Sequence, residues 1–180
     1  MNSKFYFVNE NYDKVTDLIV AKHDLSLLFI DKVELSIPNP LNYETFEAPS
    51  SFRKRFYDSD ALYLDSEIYE IFLDQNVSGL YVIPVKVKFS DDAIFSYYRV
   101  DSKIELDLID KESTQYDEDG DIERLVLDKD KLERLKHISF FKIKGLDANQ
   151  FMISQTLKNE LERYHDDIII SSEEDYEVIW

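Results

Sequence analysis

The chain carries three histidines, no cysteine and a large excess of carboxylates, and these residues bound the chemistry it could perform. His23, His137 and His165 show neither H-x-x-x-H nor H-E-x-x-H spacing, so no helical zinc site is written in the sequence. His165-Asp166-Asp167 could orient an imidazole for proton transfer or hold a cation. The plainer reading is the solvated end of a preceding helix. Tyr116-Asp117-Glu118-Asp119-Gly120-Asp121 invites comparison with a calcium loop. An EF-hand frame with Gly120 at its sixth position would start at Gln115 and end at Val126, lacking the first carboxylate and the closing glutamate. An acidic, solvated turn that could touch a basic partner fits better. A second acidic run, Glu173-Glu174-Asp175-Tyr176-Glu177, precedes Val178, Ile179 and Trp180. It reads as a turn before a last strand, or as an acidic rim with Trp180 as aromatic anchor. The candidate partner contacts are therefore Asp117, Glu118, Asp119, Asp121, Glu173, Glu174, Asp175 and Trp180.

Other chemistries find little support. The absence of cysteine removes thiolate catalysis, thiolate metal sites and disulfides. No G-x-S-x-G, G-x-x-x-x-G-K or G-x-G-x-x-G motif occurs, and three glycines leave little material for a phosphate-cradling loop. Phe52-Arg53-Lys54-Arg55-Phe56 is the one basic, aromatic-flanked cluster. Such a mixture can grip a nucleic-acid strand. In a chain of formal net charge -17, from 38 acidic and 21 basic residues, neutralising nearby carboxylates is the simpler role. That charge also opposes binding to bulk nucleic acid and to anionic membranes. No apolar run approaches the roughly 20 residues of a membrane span, and the N-terminus turns acidic too early for a signal peptide. A cytoplasmic location is the default expectation.

The elements that must position these residues read as one α+β domain over residues 1–180. It is expected to have a largely antiparallel sheet and two or three packed helices. Residues 1–60 are the less regular part: Lys4 to Val8 reads as a strand, and Leu41 to Asp60 as a loop tacked down by Phe46, Phe52 and Phe56. In 61–180 the pattern is clearer. A strand runs into Asp65, which caps a helix from Ser66 to Asp74 with Ile68, Ile71 and Phe72 on one face. Leu80 to Phe89 is a strand alternating Val85, Val87 and Phe89 against Lys86 and Lys88, with Pro84 marking an edge or bulge. Strands follow at Ala93 to Val100, Ser102 to Asp110 and Ile122 to Leu127, the last two separated by a polar loop. Asp128 caps a helix, Lys129 to Lys136. Ile138 to Lys144 and Gln150 to Ile153 are strands, Ser154 caps a helix reaching Tyr164, and Asp167 to Ser171 closes the series. Leu64-Asp65-x-x-Ile68-x-x-x-Phe72 echoes Ile153-Ser154-x-x-Leu157-x-x-x-Leu161.

Four of these stretches, in this order, resemble a family of bacterial polymorphic-toxin immunity proteins. Gly79-Leu80-Tyr81-Val82-Ile83-Pro84-Val85-Lys86-Val87 is similar to the family's G-l-x-x-x-P-v-x-i strand. Leu108-Ile109-Asp110-Lys111-Glu112-Ser113-x-x-Tyr116 resembles its l-D-x-x-x-S element, with one residue fewer between the aspartate and the serine. Ile138-Ser139-Phe140-Phe141-Lys142-Ile143 resembles its i-F-r-l strand, with lysine where arginine is usual. Ile153-Ser154-x-x-Leu157-Lys158-x-x-Leu161 resembles its v-S-x-x-l-k-x-a-l helix start. The likeness spans roughly Tyr63 to Ile170. It implies a non-catalytic protein without cofactor or metal that binds and neutralises a cognate protein toxin, a basic one given the charge. Two other classes stay open on the residues alone: a small hydrolase using carboxylates and His165, and an acidic regulatory interaction module.

Overall fold

The fold is described from a computed structural model, and residues 4–12, 20–22, 39–46, 55–147, 149–172 and 174 are described. The α+β class is what the structure has, arranged as two mixed sheets rather than one. In chain order the strands are β1 (Phe5–Glu10), β2 (Val20–Ala21), β3 (Leu41–Glu44), β4 (Phe56–Asp58) and β5 (Leu62–Asp65). Helix α1 (Ser66–Asp74) leads to β6 (Leu80–Lys88), β7 (Ile94–Ser102), β8 (Glu105–Leu106), β9 (Gln115–Tyr116) and β10 (Ile122–Arg124). Helix α2 (Lys129–Glu133), β11 (Phe140–Ile143), β12 (Phe151–Ser154), α3 (Gln155–Leu161) and β13 (Ile168–Ser171) complete the series. One sheet is ordered β13-β1-β12-β11-β8, the other β2-β3-β6-β7-β5-β4, and β9 and β10 form a separate hairpin. Every pairing is antiparallel except β3 with β6 and β8 with β11.

The sequence echo is a structural repeat. Strands β5 and β6 run parallel with β7 between them, antiparallel to both, and α1 makes the crossover. Strands β12 and β13 run parallel with β1 between them, and α3 makes the crossover. Flanking strands match too: β4 beside β5, β11 beside β12. The inserted strand of the second unit comes from the far N-terminal end of the described chain. Leu64, Ile68, Phe72, Ile153, Leu157 and Leu161, the echoed positions, are all fully buried in one cluster. Burying a side chain of this size contributes about 1.5–3 kcal/mol. Ring contacts knit the two units: Phe72 of α1 lies edge-on to Phe140 of β11 at 5.4 Å, and Phe140 stacks on Phe151 of β12 at 5.1 Å.

Two further cores lie on the outer faces. Phe7, Phe141, Ile143 and Met152 meet Leu108, Leu125 and Leu127, with Leu132 and Leu135 partly buried against them. Tyr43, Tyr63, Val85, Val87, Phe89 and Tyr97 form the other. Inside it, Arg99 donates from Nε and Nη2 to Asp60 Oδ2 at 3.0 and 2.6 Å, the Tyr63 hydroxyl donates to Asp60 Oδ1 at 2.7 Å, and Tyr43 and Tyr63 share a hydrogen bond of 2.8 Å.

Several boundaries differ from the sequence reading. The stretch Leu41 to Asp60 contains β3 and β4 rather than only loop. Phe56 is buried as expected, but Phe46 is 79% exposed. Along β3, Leu41 and Tyr43 point inward, so Phe46 falls in the outward phase with Asn42 and Glu44. Phe52 lies outside the described residues. Ser102 to Asp110 is not one strand: Ser102 ends β7, Glu105–Leu106 pairs in parallel with β11, and Ile109 makes an isolated bridge to Leu127. The α2 helix stops at Glu133, because the following bonds tighten to i→i+3: Arg134 N–H to Lys131 O and Leu135 N–H to Leu132 O. Pro84 sits opposite Tyr98, one residue before β3 begins to pair with β6. It is thus on a locally unpaired flank where its missing N–H costs no ladder bond.

Candidate functional site

The first acidic run folds as a hairpin tip, not as a loop without strands. Asp117 is consumed in building it. Its Oδ1 accepts the N–H of Asp119 at 2.9 Å and of Asp121 at 2.8 Å, while its own N–H bonds Asp121 O at 2.9 Å. Gly120 completes the turn at φ 92, a left-handed value that suits glycine. The base is clamped by Thr114, whose hydroxyl donates to Val126 O and accepts Val126 N–H, both at 3.1 Å. The result presents Glu118, Asp119 and Asp121 to solvent, with Tyr116 exposed at 44% among them. An aromatic ring beside several carboxylates offers a partner apolar area and charge together. The Asp119-Gly120 pair is the local sequence signal for this hairpin turn.

Behind the hairpin lies a cleft of about 390 Å³. Ile109, Ile122 and Leu146 contribute apolar lining, and Asp107, Asp121 and Asp147 alternate around it with Lys111 and Lys144. Gly145, at φ 94, makes the turn after β11 that brings Leu146 and Asp147 to this wall. A second cleft of about 690 Å³ shares Asp107, Ile109 and Lys111 and extends around the start of α2. Two of its carboxylates are held below their usual range. For Asp110 the chief cause is the hydrogen bond with the Ser113 side chain. For Asp128, the α2 N-cap, it is the Lys131 N–H.

The remaining sequence candidates fall elsewhere. Glu174 is exposed beyond β13, while Glu173, Asp175 and Trp180 lie outside the described residues, as do His23, Arg53 and Lys54. The hairpin belongs to the β8 side of the five-stranded sheet and Glu174 to the β13 side, its opposite edge. Four strand spacings, roughly 19 Å, separate the two edges. Glu174 and the hairpin carboxylates therefore do not share one patch. His165 is 79% exposed at its side chain, with Nε2 3.9 Å from Asp166, and lines neither cleft. His137 is exposed after α2. Among the described residues no three histidine or carboxylate side chains converge on a point that could hold a metal ion. Arg55 is engaged by carboxylates: its guanidinium pairs with Glu67 and lies 3.9 Å from Asp65, and its N–H bonds Asp167 Oδ1 at 3.2 Å. No helix among the described residues is long and apolar enough to cross a membrane.

No protein-family model matches the chain, and no curated protein sequence matches it.

Proposed function

We propose that this protein is a non-catalytic binder of a basic protein, acting in the cytoplasm as an immunity protein that neutralises a cognate secreted toxin. The observation that carries the reading is the hairpin from Gln115 to Arg124. It holds Tyr116 and the carboxylates of Glu118, Asp119 and Asp121 outward on a turn braced from within by Asp117. The net charge of -17 would steer a positively charged partner toward this surface and raise the association rate. The four sequence stretches similar to the immunity family supply the toxin as the partner class.

The experiment is capture of tagged protein with the secreted toxins of its source bacterium, beginning with the product of the adjacent gene. Tight one-to-one capture that weakens with salt and abolishes toxicity supports the reading. Failure of every toxin to bind would overturn it.

A further inference from the structure

Sheet edges expose backbone groups that a neighbouring strand would bond, and folds ordinarily cover or guard them. One of the edges here is covered. The β4 edge meets β1 through exchanged side-chain caps: Asp58 N–H bonds Glu10 Oε2 at 3.0 Å, and Glu10 N–H bonds Asp58 Oδ2 at 2.7 Å.

The β13 edge is treated differently. Its register with β1, together with the bond from Asn11 N–H to Asp167 O at 2.9 Å, fixes which groups face which way. Antiparallel pairs alternate, so Asp167, Ile169 and Ser171 bond to β1, and Ile168 and Ile170 direct their N–H and C=O outward. No described residue bonds those four outward groups. The strand reads Ile168-Ile169-Ile170-Ser171, without the lysine or proline that commonly guards an edge, and Ile169 is 43% exposed. Exposed acids bracket it, Asp166 before and Glu174 after, while Asp167 is buried with its Oδ1 on the Arg55 N–H.

We propose that β13 is a docking edge for an extended segment of a partner protein with lysine or arginine at its ends, which adds as an outer strand. This rests on the reading of the chain as a binder of a basic protein and names the form the bound segment takes. Main-chain pairing with Ile168 and Ile170 supplies affinity, and the bracketing carboxylates select basic flanks. A second copy of this chain fits poorly. Antiparallel β13-to-β13 pairing would bring Asp166 of each copy toward Glu174 of the other, and opposed like charges destabilise strand pairs.

The test is amide hydrogen exchange by NMR on the full chain, with a ten-residue peptide of alternating lysine and valine at millimolar concentration and a glutamate–valine twin as control. The expected result is roughly tenfold slower exchange at Ile168 and Ile170 with the lysine peptide only, and no change at Ile169, whose N–H already bonds β1. Ile170→Pro removes an outward donor but no β1 bond. It should abolish the slowing at Ile168 with the far-ultraviolet circular dichroism unchanged, and Ile170→Val should preserve it. Protection of Ile168 and Ile170 in the peptide-free protein, no slowing with the lysine peptide, or equal slowing by both peptides would overturn the proposal. The same measurement on a Glu118→Lys/Asp119→Lys/Asp121→Lys variant should still show the β13 response. Failure of the hairpin reading and failure of the edge reading are thereby separable.

Discussion

At the scale of single residues, the three glycines are not equivalent. Gly79 has φ 73, and a Cβ there would lie 2.7 Å from Ile104 Cγ1 and 2.8 Å from its Cδ1. Gly120 has φ 92 and nothing within 4 Å. Gly79→Ala combines left-handed strain with overpacking and should cost about 2–5 kcal/mol, against about 1–2 kcal/mol for Gly120→Ala, measured by urea unfolding. In an Ile104→Ala background the Gly79→Ala penalty should shrink, because the clashing atoms are gone. Equal penalties for the two glycines would refute the packing argument. The Tyr43–Tyr63–Asp60–Arg99 cluster makes a prediction about pH. Burial, reinforced by Asp60 and Tyr43, pushes the Tyr63 hydroxyl well above its ordinary value, and burial raises Tyr43 in the same way. Groups whose native values are raised contribute stability that is fully present below the unfolded value, near pH 10. That stability is lost as pH climbs beyond it, by up to about 1.4 kcal/mol per unit for each group. Tyr63→Phe should make the alkaline decline in stability shallower, which unfolding midpoints between pH 9 and about pH 11.5 would reveal. The cluster was not visible in the sequence, because it joins three separate stretches, Tyr43, the local Asp60–Tyr63 pair and Arg99, that only sheet pairing brings together.

At the scale of elements, local chemistry is what the sequence expressed best. Asp65 and Ser154 cap α1 and α3 as their positions ahead of apolar helices imply, with side-chain acceptors 3.0 Å from Ile68 N and 3.4 Å from Leu157 N. The shorter bond and the carboxylate make Asp65 the stronger cap. Asp65→Ala should cost about 1–2 kcal/mol and Ser154→Ala about 0.5–1 kcal/mol, and the reverse order in thermal or urea unfolding would contradict this ranking. Elements built from a few residues were hidden. Leu41–Glu44 alternates correctly, but four residues are too short a period to read, and the strand exists because β6 offers it a parallel partner far along the chain. Of the hairpin from Gln115 to Arg124, the second strand was legible from Ile122 onward, while the two-residue β9 was hidden for the same reason as β3. The two-sheet arrangement was not legible either. The echo between Leu64–Phe72 and Ile153–Leu161 announced two strand–cap–helix units, but nothing local told that the second is completed by β1.

At the scale of the whole molecule, the acidic hairpin and Glu174, the described residue of the second acidic run, lie at opposite edges of the five-stranded sheet. Composition carries the sign of the charge but not its placement, and placement follows from strand order. The hairpin edge offers side chains, an aromatic ring and carboxylates. The β13 edge offers main chain. A basic protein partner can use either, and the function proposed here depends on the first.

The central claim, that the hairpin receives a basic toxin, is tested most directly by association kinetics. The rate of binding to the captured toxin should be measured against salt for the wild-type chain and for the Glu118→Lys/Asp119→Lys/Asp121→Lys variant. The variant should associate at least about tenfold more slowly at low salt, with a flatter dependence on ionic strength and unaltered unfolding. Identical rates and identical salt dependence in the two proteins would contradict it.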